Sequence, residues 1–125
     1  MAFAVFEQAR ILSIGATPAQ LKTGVDFLSF HCYPTEKNSA AVNEILNQLS
    51  VGKPIVIEET APLECSISSL ERLIITSKAR VAGWMFFYWG KPLEECQKST
   101  TPQDVLQAGS LQLFQKLAPQ FGRGQ

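Results

Sequence analysis

The sequence predicts an α/β fold, with parallel strands joined by helical crossovers, in one domain spanning residues 1–125. Three observations carry that prediction. Short β-branched or aromatic runs alternate with segments whose apolar residues recur at helical spacing, about four of each. The runs "VDFLSFHCYP" and "PIVIEE" are nearly continuous in apolar character before their polar ends, as expected of parallel strands covered on both faces. At 125 residues the chain can build one core but is too short for a closed barrel of eight strand–helix units.

Taken in order, Phe3 to Arg10 reads as the tail of a helix, and "ILSIG", Ile11 to Gly15, as the first strand. "TPAQLKTG" then gives a short helix with Thr17 as cap, Pro18 at the first helical position and Gly24 as terminator. "VDFLSFHCYP" is the second strand, stopped by Pro34. A helix capped by Asn38 or Ser39 follows, with Val42, Ile45, Leu46 and Leu49 on one face and Gly52 closing it. "KPIVIEE" is the third strand. Ser68 and Glu71 form a capping-box pair that opens a helix burying Leu70, Leu73, Ile74 and Ser77. "VAGWMFFYWG" is the last strand. Thr101-Pro102 starts a short helix that Gly109 ends, and Ser110 caps a final one carrying Leu111, Leu113, Phe114 and Leu117.

Composition narrows the function. With 18% charged residues and a net charge of +0, nothing electrostatic points to nucleic acid or an acidic membrane as partner. No apolar run approaches the roughly 20 residues needed to span a bilayer, and the first ten residues lack the basic leader of a secretory signal. Localisation stays open. Cys32, Cys65 and Cys96 lack metal-type spacing and read as buried or idle thiols, with a Cys65–Cys96 bridge left open. The residues themselves mark no metal or organic cofactor: the cysteine spacing is not metal-type, and no Gly-rich loop follows a strand to cradle a phosphate.

In either an open α/β sheet or half of a (β/α)8 barrel, chemistry sits at the carboxyl ends of the strands. The unusual residues gather there: His31 and Tyr33, then Glu58 and Glu59, then Tyr88 and Trp89. Strand alternation puts Phe27, Ser29, His31 and Tyr33 on one side, and Ile55, Ile57 and Glu59 on one side of their own strand. Only one acid of the Glu58-Glu59 pair can then face the cleft, the other serving a structural role toward the helices. Parity alone does not say which. Trp84, at the start of its strand, reads as core.

"VDFLSFHCYP", "GKPIVIEETAP" and "VAGWMFFYWG", in that order, resemble the closing strands of retaining (β/α)8-barrel glycoside hydrolases of the cellulase and mannanase clan that includes family 5. The likeness rests on His31-Cys32-Tyr33 ending strand six, on Lys53-Pro54, aliphatics and Glu ending strand seven, and on Gly83-Trp84 opening strand eight. "ILSIG" would be strand five. The resemblance implies a partial barrel, strands five to eight, acting on a β-linked oligo- or polysaccharide. Glu59 would be the nucleophile that forms a glycosyl-enzyme. Tyr33 would donate its hydroxyl to that carboxylate, His31 would bond sugar hydroxyls or the partner acid, and Trp89 would stack on a sugar ring. The clan's acid/base comes from an Asn-Glu at the end of strand four. Here Asn43-Glu44 falls inside a helical run, so the chain would hold half an active site.

Such a half would self-associate or pair with a complementary N-terminal half-barrel, because its end strands are open. Two other readings stand beside it: a non-catalytic carbohydrate-binding or interaction module, and a freestanding flavodoxin-like α/β domain.

Overall fold

The computed structural model describes residues 2–7, 10–11 and 18–121. It is an α/β structure in which three strands, β3 (Leu28–Cys32), β4 (Ile55–Thr60) and β5 (Val81–Phe86), pair in parallel. Helices α2 (Ser39–Gln48) and α3 (Ile67–Ser77) make the crossovers between them. On the far side of β3, β1 (Ala2–Glu7) pairs in parallel and β2 (Arg10–Ile11) pairs with β1 in the antiparallel sense. Helix α1 (Pro18–Gly24) precedes β3; after β5 come a one-turn helix α4 (Leu93–Cys96) and a long helix α5 (Pro102–Phe121). None of the described helices is long and apolar enough to cross a membrane.

Across the sheet the order is β2-β1-β3-β4-β5. From β1 onward, order in space follows order in sequence. A flavodoxin-type sheet instead reverses direction at a switch point and carries helices on both faces. Here the helices share one face. Leu28, Phe30 and Cys32 of β3, with Ile55 and Ile57 of β4 and Val81 of β5, form one core with Leu21 of α1, Val42, Ile45 and Leu46 of α2 and Leu73 of α3. Trp84 packs against that core and against a second cluster, Leu70 and Ile74 of α3 with Leu113 and Leu117 of α5. The apolar runs pack against helices through every second residue; β3 is buried on its other face too at Ser29, as the sequence predicts, whereas β4 and β5 are more open there. On the opposite face lie Ser29, His31, Val56 and Gly83 by alternation, and Met85 is 54% exposed there.

Several boundaries differ from those the sequence predicts. Ala2–Glu7 is strand where a helix tail is expected, and of the predicted strand 11–15 only Ile11 is described, in β2; residues 12–15 and Thr17 lie outside the described residues. The α3 cap is Ser66, whose side chain accepts from the Ser69 amide, so the capping pair starts two residues before Ser68. Glu36 strengthens that end, accepting from the Ser66 amide at 2.5 Å and the Ser69 hydroxyl at 2.7 Å. Asn38 is the α2 cap residue, but its side chain turns back to accept from the Thr35 amide. Gly109 does not end a helix. It lies within α5, where a Cβ would come within 3.3 Å of the Ile67 side chain. Its smallness lets α5 approach the start of α3.

Candidate functional site

The site forms where β3 and β4 end. Up to Phe30 the register is regular: Leu28 faces Ile55, Ser29 faces Val56 and Phe30 faces Ile57. The next residue, His31, pairs with Glu59, so Glu58 is the extra residue of a β-bulge. A bulge interrupts the alternation of side chains and re-aims the residues that follow. Strict alternation would send Glu59 to the helical face with Ile55 and Ile57. The bulge returns it to the face that carries His31.

Both acids consequently meet the imidazole. His31 Nε2 lies 3.3 Å from Glu58 Oε1, and Nδ1 lies 3.6 Å from Glu59 Oε1. The Tyr33 hydroxyl donates to the same Glu59 Oε1. The expectation that one acid turns toward the helices is thus corrected, because the bulge adds one residue between the core pair and the site. The side chains of His31, Glu58 and Glu59 are partly exposed, at 34%, 24% and 26%. That leaves them open to a solute and shielded enough for directional bonding. Burial, followed by the bond to Glu59 and the charge of that carboxylate, pushes the Tyr33 phenol above the ordinary tyrosine range. It is a neutral hydrogen-bond donor at neutral pH.

The end of β5 contributes aromatic surface. The Phe87 amide donates to the Thr60 carbonyl at 2.8 Å, which ties Phe87 to the residue directly after Glu59. Phe87 and Tyr88 are 40% and 51% exposed. Trp89 packs edge-on to Phe86 and Phe87, with centroids 5.8 and 5.4 Å apart, and its amide donates to Gln107 Oε1 at 3.2 Å. It lines a cavity of about 500 Å³ with Lys91, Asp104 and Gln107, whose polar groups are paired with one another and with the backbone. The structure thus gathers His31, Tyr33, Glu58 and Glu59 into one cluster and sets Trp89 among the aromatics and the α5 loop. An apolar cavity of about 340 Å³, lined by Ile74, Trp84, Phe114, Leu117 and Phe121, belongs to the helical layer and holds no carboxylate.

Glu58 and Phe87 are site residues that the sequence reading leaves out of the site. No residue type marks the bulge, so Glu58 could not be placed; the aromatic run marked the end of β5 but not which ring lies beside Thr60.

The three cysteines are free thiols, so the Cys65–Cys96 bridge is not formed. Burial, and secondarily the neighbouring Cys65, pushes the Cys32 thiol up to about 12. Comparison with protein-family models, with curated proteins and with solved structures gave no match to this chain.

Proposed function

We propose that this chain is the nucleophile-bearing, C-terminal half of a retaining (β/α)8 glycoside hydrolase acting on a β-linked glycan. One observation supports the reading above the rest. A carboxylate, Glu59, accepts from a tyrosine and stands beside an imidazole at the carboxyl ends of neighbouring parallel strands. Carboxylates perform this reaction by attacking the anomeric carbon and carrying the sugar as an ester. The run of helices along one face of a sequentially ordered sheet suits a barrel segment.

In this reading a Glu59 oxygen bonds to the anomeric carbon while the bond from that carbon to the leaving oxygen breaks. The Tyr33 hydroxyl donates to Oε1, the oxygen that does not attack, and fixes the carboxylate plane. His31, with the exposed Phe87 ring and the half-buried Trp89 at the end of β5, binds sugar hydroxyls and the apolar ring face. No second carboxyl stands free across from Glu59 among the described site residues, since Glu58 is engaged on the far side of His31. The acid/base is then supplied by a complementary half-barrel, and β5, the end strand of the sheet, offers it an edge.

A 2,4-dinitrophenyl 2-deoxy-2-fluoro-β-glycoside tests the nucleophile without an acid catalyst. Its leaving group departs as a phenolate needing no proton, and the fluorine slows hydrolysis of the ester. Intact-mass spectrometry should show a single glycosyl adduct, mapped to the peptide carrying Glu59 and absent in Glu59→Gln. Binding of glycan with no adduct would favour the carbohydrate-binding reading; an adduct that persists in Glu59→Gln would remove Glu59 from the chemistry.

A further inference from the structure

We infer that Glu58 is a positioning residue for Glu59 and acts through His31. The inference rests on the proposed nucleophilic role of Glu59 and extends it to the other acid of the pair, which the resemblance leaves with a structural role. An imidazole at the end of a strand can turn about its last torsion between two broadly allowed orientations. Glu58 removes that freedom. An ionised carboxylate only accepts, so Glu58 Oε1, 3.3 Å from Nε2, favours the ring orientation that turns an Nε2–H toward it. Nδ1 is thereby aimed at Glu59 Oε1, 3.6 Å away, the same oxygen that takes the Tyr33 proton.

Glu59 is then bounded on two sides by groups from one strand, the phenol and the oriented imidazole, and its other oxygen is left for the anomeric carbon. The backbone supports the assignment independently. Glu58 is the inserted residue of the bulge, and a bulge gives up regular ladder pairing in return for a re-aimed side chain. Removing a group that orients a reacting atom costs rate out of proportion to the displacement, about a hundredfold for 1 Å.

The test exploits the fact that the protein has a single histidine. In protein labelled with ¹⁵N-histidine, the two ring nitrogens report which one carries the proton and whether the ring is held. The wild type should show protonated Nε2 bonded to an acceptor, Glu58→Ala should lose that signature, and Glu58→Gln should restore it, because its amide oxygen accepts the same N–H. Covalent labelling by the fluoroglycoside should slow about tenfold to a hundredfold in Glu58→Ala and recover most of its rate in Glu58→Gln. Should the alanine variant not fold, Glu58→Thr suits an extended backbone and is too short to reach the ring. Identical ring spectra in the wild type and the truncated variant would overturn the inference, as would altered spectra with an unchanged labelling rate. If the wild type takes no label, the nucleophile reading fails, while the spectra still decide whether Glu58 orients His31.

Discussion

His31 stands opposite Glu59 in the β3–β4 register, although its predecessor Phe30 stands opposite Ile57. That one-residue offset turns two adjacent acids, which would point to opposite faces of a regular strand, into a pair on either side of one imidazole.

The Tyr33–Glu59 bond gives a titration signature. Burial, the bond itself and the carboxylate charge raise the phenol above its ordinary value near 10. Its contribution to stability is complete below that value and disappears as pH climbs through the raised one. The tyrosinate absorbance that Tyr33→Phe deletes should come from the portion of the alkaline titration above pH 10. Loss of absorbance at or below pH 10 would contradict the contact.

Acid acts on a different group. Hydrogen bonding by Ser99, then Lys91 and Thr101, holds the Asp104 carboxyl down to about 2. An unfolded Asp titrates near 3.9, so the stability linked to Asp104 is present above about pH 4 and is lost as pH falls toward 2. Chemical denaturation of the wild type and Asp104→Asn should converge across that window. Curves that keep their separation at pH 2 would show that the carboxylate charge is not the cause.

Thiol chemistry should follow burial. Cys32 and Cys96 are essentially inaccessible, and burial, followed by the nearby Glu36 carboxylate, pushes half-buried Cys65 up to about 11. At pH 8 a maleimide should label Cys65 at least about tenfold more slowly than a free thiol, and Cys32 and Cys96 only on unfolding. Fast labelling of any thiol in the native protein would refute this packing.

Ser66→Ala removes the side chain that caps α3 and should destabilise the protein by about 1 kcal/mol in denaturant titration. The same change at Ser68, the cap that the sequence suggests, should have less effect. A larger loss at Ser68 would place the helix start where the sequence suggested.

Association is the last expectation. Met85 and Phe87 expose apolar surface at 54% and 40%, on and just beyond the end strand. Light scattering coupled to size exclusion should show mass rising with concentration. A monomer at every concentration would count against the half-barrel proposal.

How much of this was legible beforehand depended on the kind of signal. Strands β3, β4 and β5 and helices α2 and α3 could be read because Leu28, Phe30, Ile55 and Ile57 and the helical stripe Val42, Ile45 and Leu46 carry the periodicities that burial demands. Gly109 misled because a glycine that ends a helix and one that admits a neighbour look alike in sequence; only the Ile67 contact tells them apart. Ser66 lost to Ser68 because a serine-rich stretch offers several caps. The Glu58 bulge left no residue-type mark, so the relation of both acids to His31 required coordinates.

The spatial order of the strands also bears on how the protein assembles. Tyr33 and Glu59 are only 26 positions apart, with one helix between them. Closing that loop means ordering a parallel strand pair across its crossover helix, and parallel pairing is slow beside the formation of a single helix. The carboxylate and its phenol should therefore meet only after α2 has formed and docked as the crossover between their strands, so the site is assembled later than the helix that links its halves.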